Sequence, residues 1–213
     1  MKSMEEFFNE EATHYDNNFI NVLGMSEYYD EIEKQLNQCV HKYDILVLGC
    51  GTGLEIERIK SKSNVTAIDI SKSMVDELQK KDFSKEINLN TIVGSYFDVD
   101  FGIKTYDIVL SSYSFHHFNK EQKLFLYAKI YNCLKENGRF IHGDSVAATM
   151  DDELTRLKEA DKIYADSKFP FGSIHIDVPL TIQSEFLILR NAGFTDIKIE
   201  KEWGRTTLYK AKK

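Results

Sequence analysis

The run Ile45-Leu46-Val47-Leu48 passes directly into Gly49-Cys50-Gly51-Thr52-Gly53. Four consecutive apolar residues predict a short strand buried on both faces. Glycines at alternate positions after it let the chain turn sharply and let a ligand lie against bare main chain. A second strand is predicted over Val65 to Ile70, and Asp69, twenty residues beyond Gly49, stands near its end. A carboxylate at that distance is placed to accept hydrogen bonds from ribose hydroxyls. The turn alone is a weak signal, whereas the turn with this acid inside a strand–helix–strand pattern specifies a site for an adenosine-bearing ligand.

The rest of the chain repeats the alternation. Phe8, Ala12, Tyr15 and Phe19 form one apolar stripe on a first helix, and a second helix is expected over residues 25 to 40. Ser71 is the expected N-cap of a helix reaching about Lys81. Leu89 to Val93 and Tyr106 to Ser111 read as strands. Asn119 with Gln122 forms a capping box opening a helix to Leu134. Asn137-Gly138 reads as a turn before a strand beginning at Arg139. Strands alternating with helices imply a mostly parallel sheet covered on both faces, with ligands at the carboxyl ends of its strands. Beyond Ser145 the rhythm changes. A helix is expected over 150 to 166, with Leu154, Leu157 and Tyr164 inward and Thr149 to Asp152 as a capping box. An aromatic loop from Phe169 to Pro179, a helix from Thr181 to Ala192 and an antiparallel pair, Thr195 to Glu200 with Thr206 to Lys210, complete the chain.

The turn also narrows the ligand. A dinucleotide fingerprint is G-x-G-x-x-G, with its pyrophosphate on the following helix N-terminus. Here the third glycine comes one residue early. Glu55 and Glu57 fall in the expected first helical turn, where they would repel phosphate. An adenosine ligand without phosphate and with positive charge fits; S-adenosylmethionine meets that description and NAD does not.

At these residues the sequence resembles the class I S-adenosylmethionine-dependent methyltransferases, specifically the small-molecule group with an N-terminal helical cap. ILVLGCGTG is similar to the first motif of that family and AIDIS to the second. GSYFDVDF resembles the segment flanking adenine, YDIVLSSYSFHHF the fourth motif, and LKENGRFIHGD the turn and strand after it. The resemblance implies an α/β, Rossmann-like seven-stranded sheet of order 3-2-1-4-5-7-6 with strand 7 antiparallel. It divides one methyltransferase domain, 1–213, into a cap (1–42), a cofactor-binding core (43–146), an insertion shaping the acceptor pocket (147–180) and a C-terminal helix with a strand pair (181–213). It implies that Gly49, Gly51 and Gly53, with Cys50 between them, line the methionine moiety of the cofactor and that Asp69 binds ribose. Ile70 joins the cofactor set, Met74 packs on adenine, Ser95 and Tyr96 border its edge, and Ser112, His117 and Tyr15 complete the set. Two positions depart from the family pattern: Val47 and Ser95 stand where acids are usual. Backbone carbonyls or Glu55 would then meet the methionine ammonium.

Methyl transfer to a lone pair needs the acceptor held in line with the sulfonium, and a base only where the acceptor is protonated. No Asn/Asp-Pro-Pro-Tyr signature follows the fourth strand; Ser112-Tyr113-Ser114-Phe115 occupies its end, which argues against nucleic-acid and protein-amide substrates. His116 and His117 either serve the site or cap the Asn119 helix; of the two, the resemblance favours His117. Asp144 either orients or deprotonates an acceptor or caps a turn. Tyr113 is either a pocket wall beside the sulfonium methyl or core. Tyr15 either closes the site or belongs to the stripe, where Phe8 and Ala12 are read as core. His175 is either a substrate contact or surface. His14, His41 and His142 are read as ordinary, and Trp203 with Lys210, Lys212 and Lys213 as strand packing and a solvated tail.

Several classes are excluded or left as rivals. The formal charge of −7 opposes a broad nucleic-acid footprint. No apolar run approaches the roughly 20 residues of a membrane span, and the acidic N-terminus lacks a signal-peptide core. Cys39, Cys50 and Cys133 suit neither a disulfide framework nor a zinc site. No metal is expected, because adjacent His116 and His117 should point apart and no third ligand has usable spacing. The expectation is a cytoplasmic enzyme, monomer or homodimer, acting on a small molecule. A non-catalytic binder of S-adenosylmethionine or S-adenosylhomocysteine and a nucleotide-dependent oxidoreductase are the alternatives.

Overall fold

A computed structural model describes residues 1–37 and 42–213. Its sheet is built around β1 (Tyr43–Leu48), flanked by β2 (Ser63–Asp69) and β4 (Tyr106–Ser112). Because strand side chains alternate, Leu46 and Leu48 enter one hydrophobic layer while Ile45 and Val47 enter the other, and all four are at most 1% exposed. The continuous apolar run is therefore the signature of a central strand. β3 (Ile87–Val93), β5 (Leu134–Ser145), β6 (Thr195–Trp203) and β7 (Thr206–Lys212) extend the sheet to the order 3-2-1-4-5-7-6, with β7 antiparallel to both neighbours. That is the expected topology.

Helices α1 (Met4–Glu11), α2 (Tyr15–Asn17) and α3 (Ser26–Leu36) precede the sheet; α3 and α4 (Lys72–Gln79) pack on the Ile45 side. α5 (Lys120–Cys133) and α7 (Ile182–Asn191) cover the Leu46 side, and α6 (Met150–Asp166) lies before α7 in the chain. Caps form where expected. Ser71 Oγ accepts from Met74 N at 3.1 Å, and Asn119 and Gln122 close a reciprocal box at 3.0 and 3.1 Å. Thr181 caps α7.

Several local expectations are corrected. The single first helix is broken: α1 stops at Glu11, a turn intervenes, and α2 runs into a π-helical segment, Asn18–Val22. Only a three-residue 3-10 turn, Ile56–Arg58, follows the glycines, so Glu55 and Glu57 do not open an α-helix. Asn137 (φ +62°) and Gly138 lie within β5 as a bulge against β4 rather than before the strand. On α6 the inward residues are Glu153, Ala160 and Tyr164, whereas Leu154 is 43% exposed. Glu153 is inward because it accepts from Thr181 N at 2.7 Å and from Ser184 Oγ at 3.1 Å. The Thr149 box is half formed, since Asp152 bonds Ala148 N instead. Lys210 and Lys212 sit in β7 and pair with Glu200 and Asp196, and Lys213 donates to two carbonyls, so no solvated tail exists there. Cys39, His41 and the end of the second predicted helix lie outside the described residues.

Between α5 and α7, Lys123 and Glu185 are buried as an ion pair, and Tyr127 Oη donates to the same carboxylate at 2.6 Å. Removing one partner strands a charge in the interior. Glu185→Ala should lower unfolding free energy by about 3–5 kcal/mol, read by urea denaturation. Lys123→Met combined with Glu185→Leu should recover most of that loss.

Candidate functional site

The site forms where β1, β2 and β4 end. Gly49 and Gly51 have φ of +71° and +48°, a region open to glycine and strained for other residues. A Cβ on Gly49 would stand 2.5 Å from Ser114 Oγ and 2.6 Å from Tyr96 Oη, which are themselves hydrogen bonded at 2.7 Å. A Cβ on Gly51 would meet only the Tyr15 ring, at 3.8 Å, and would otherwise fill open cavity. Gly53 is different. Its Cβ would press on Leu78 and Phe83 at 3.1 and 3.2 Å, so it serves helix packing. Cys50 is also turned away, 1% exposed in the layer beneath α3 and α4, where burial raises its thiol pKa well above the ordinary value. Neither Cys50 nor Gly53 borders the cavity.

Asp69 holds this turn. Its Oδ2 accepts from Gly51 N and its Oδ1 from Ser71 N, both at 2.8 Å. Burial raises its pKa to about 6, with those amides pulling the other way. Nearby Glu55 is also buried, and burial raises it to about 7. Val47, at the position where the family carries an acid, is sheet core. Ser95 Oγ accepts from Phe97 N at 3.2 Å.

A cavity of about 330 Å³ opens over the turn. Of the expected residues, Gly49, Gly51, Asp69, Ile70, Met74, Ser95, Tyr96, Ser112, Tyr113, His117 and Tyr15 border it. Met4, Phe8, Phe97, Ser114, Phe118 and Gln122 border it as well and were not foreseen, while Pro170 to Ser173 do so from the segment expected to shape the acceptor pocket. Phe8, read from the stripe as core, is thus a cavity wall; spacing marks an apolar face without saying what it covers. The wall is apolar with a few polar groups, as small-molecule sites are.

The roof is assembled from distant segments. Met4 N donates to Ser173 O at 2.7 Å, Ser3 bridges Ile174, and Phe7 stacks on His175 at 3.9 Å between ring centroids. Asn9 Oδ1 accepts from Ser71 Oγ at 2.7 Å and Ser73 N at 3.1 Å, fixing α1 over the start of α4. Asp16 bonds Thr52 and pairs with Lys81 at 2.6 Å, fixing the next turn beside the glycines.

The candidates for chemistry separate clearly. Tyr113, at φ +46°, places its hydroxyl 2.6 Å from Thr206 Oγ1, and burial raises its pKa to about 12. Ser112 bonds Tyr28 at 2.7 Å, and Tyr15 stacks on Phe19. Asp144 does not border the cavity. It is 2% exposed, accepts from Phe115 N and Ser145 N at 2.9 and 2.8 Å, and lies 2.5 Å from His116 Nδ1. It is therefore a positioning group for His116. Burial works against charge on His116, yet the Asp144 carboxylate raises its pKa. Burial, reinforced by His116 and His175, pushes His117 well below the usual imidazole range. His117 Nδ1 lies 3.2 Å from Ile176 O, and its Nε2 is buried without a partner among the described residues. The two rings do not point apart. His116 Nε2 and His117 Nδ1 both lie 3.5 Å from Asp177 Oδ1, a third group that chain spacing could not reveal.

Sheet order defines a Rossmann-like fold, with the glycine cradle and the Asp69 carboxylate at the carboxyl ends of its strands, where such folds bind their ligands. The family model described as "Methyltransferase domain" matches residues 45–138. A carboxy-S-adenosyl-L-methionine synthase of Campylobacter concisus is 25% identical over 172 residues, covering 74% of this chain and 71% of that protein. A malonyl-[acyl-carrier protein] O-methyltransferase of Ilyobacter polytropus is 37% identical over 86 residues, 39% of this chain and 32% of that protein. Among solved structures, a putative O-methyltransferase from Nostoc punctiforme superposes with a TM-score of 0.71 at 19% identity. All of this chain is covered there, but only 62% of the Nostoc protein. The DhpI–SAH complex superposes with a TM-score of 0.72 at 15% identity, covering 97% of this chain and 93% of that one. At these identities the structural likeness is one of fold. The match over residues 45–138, the relatives and the sheet order all point to a class I S-adenosylmethionine-dependent methyltransferase, with S-adenosylmethionine as the cofactor they support.

Gly51→Ala tests the cradle. The methyl group should abolish S-adenosylmethionine binding in calorimetry while costing about 1–2 kcal/mol of stability through its left-handed backbone. Binding at unchanged affinity would show that the ligand does not approach this turn.

Proposed function

We propose that this enzyme transfers a methyl group to a small-molecule acceptor seated beneath the joint roof of α1 and the Pro170–Ser173 loop. The observation that carries this reading is the continuity of the cavity. It runs from Gly49, Gly51 and Asp69 to the aromatic wall of Phe8, Phe118 and Phe171 and to His117. The bound cofactor supplies an electrophilic methyl carbon on a sulfonium. Asp69 accepts from the ribose hydroxyls, Ile70 and Met74 flank the adenine, and Ser95 and Tyr96 border its edge. Ser112 and Tyr15 bound the methionine end, with Glu55 behind Ser112 as a source of negative potential for its cations. Tyr113 walls the acceptor side; with its hydroxyl committed to Thr206 it is no base. His117 hydrogen-bonds the acceptor through Nε2, so the chain contributes alignment and exclusion of water.

The roof is what favours a small acceptor over a polymer, because Met4 and Ser173 are joined backbone to backbone across it. The test is transfer of labelled methyl from S-adenosylmethionine to fractions of a small-molecule extract, with S-adenosylhomocysteine as co-product. Labelling confined to protein or nucleic acid would overturn the reading. So would a carboxylated cofactor, the product for which the Campylobacter concisus relative is named.

Asp69 gives a pH signature. Only its ionised form offers two acceptor oxygens, and its pKa lies near 6 in the free protein. Bound cations and ribose hydroxyls stabilise that form, so binding should release protons and weaken as pH falls from about 7 to 5. Asp69→Asn should weaken binding by about 1.5–3 kcal/mol at pH 7.5 and flatten this dependence, both measured by titration calorimetry.

A further inference from the structure

We propose that His116, His117 and Asp177 form a site for one divalent transition-metal ion, of the zinc class, between the end of β4 and the loop preceding α7. Nothing in the methyl-transfer reading requires such an ion.

The donor geometry is the first argument. Asp177 Oδ1 lies 3.5 Å from His116 Nε2 and 3.5 Å from His117 Nδ1, and the three donor atoms all fall within 4.8 Å of one another. Two ligands at about 2.1 Å from a tetrahedral ion stand about 3.4 Å apart. Two imidazoles and one carboxylate suit zinc, iron(II) or cobalt(II), whereas calcium and magnesium favour all-oxygen sets.

The support around the donors is the second argument. His116 Nδ1 is 2.5 Å from Asp144 Oδ1, and Asp144 is fixed by the Phe115 and Ser145 amides. A carboxylate on the far nitrogen is the arrangement that orients a ligating histidine and fixes its tautomer. With that proton on Nδ1, His116 turns an Nε2 lone pair toward the Asp177 carboxylate, and two electron-rich atoms face each other until a cation lies between them. Both imidazoles are buried, while Asp177 is half exposed, so an ion has a protein wall on one side and an approach on the other.

The ion would displace the 3.2 Å contact between His117 Nδ1 and the Ile176 carbonyl and leave the His117 proton on Nε2. It would also tie the late loop, through Asp177, to the strand end that carries His116. The competing occupant of the gap is a proton, making His116 an imidazolium clamped between Asp144 and Asp177.

The two are separated by titrating chelator-stripped full-length protein with Co²⁺ and Zn²⁺, without cofactor. The expected result is one tight equivalent, with the visible absorption of nitrogen- and oxygen-bound Co²⁺ that Zn²⁺ abolishes. Asp177→Asn should weaken binding roughly tenfold or more, on the scale seen for perturbed metal shells, with an unchanged melting temperature for the stripped protein. His14→Ala, which removes an exposed histidine outside the cluster, should bind as the parent does. Binding that is absent, or unaffected by Asp177→Asn, overturns the site and leaves the proton clamp. Because no cofactor or acceptor is present, failure here is distinct from failure of the methyl-transfer reading.

Discussion

Two backbone amides donating to one buried carboxylate hold the active end of this molecule together. Asp69 ends β2, yet its oxygens reach Gly51 in the turn after β1 and Ser71 at the start of α4. Those groups would otherwise be unsatisfied donors at a turn and a helix terminus. Ser71 passes the connection on, accepting from Met74 N and donating to Asn9 of α1. A single side chain thereby sets the glycine cradle, the start of α4 and the position of α1.

The arrangement has an electrostatic cost that the ligand is suited to offset. Asp69 and Glu55 are both buried, and burial raises both pKa values toward neutrality. Without a cation these carboxylates are poorly solvated and only partly neutralised by amides. A sulfonium and an ammonium, placed as proposed, would supply the missing charge, whereas a pyrophosphate would worsen the imbalance. Net acidity over the surface does not explain this preference; two buried acids beside one turn do.

What was legible in the sequence was what neighbouring residues decide among themselves. β1 announced itself because both faces of a central strand must be apolar, and the Asn119 box did so because its partners are three residues apart. The spacing of Gly49 and Asp69 is likewise a property of one strand–turn–strand unit. Orientation was harder to read. Cys50 and Gly53 share the motif of Gly49 and Gly51 but face packed helices, which only the completed fold determines. Glu153 is inward on α6, against any hydrophobic pattern, because Thr181 and Ser184 wait for it on another element. Asp177 meets His116 and His117 through a loop whose path no periodicity encodes.

The seam between Met4 and Ser173 has a kinetic meaning. The cavity lies under a cover made from an early helix and a late loop, joined by main-chain hydrogen bonds and a stacked Phe7–His175 pair. Exchange of a ligand past that cover would mean parting segments far apart in sequence, an event of local unfolding rather than of side-chain rotation. Substitutions at this seam, remote from every reacting atom, would then act on the rate of exchange.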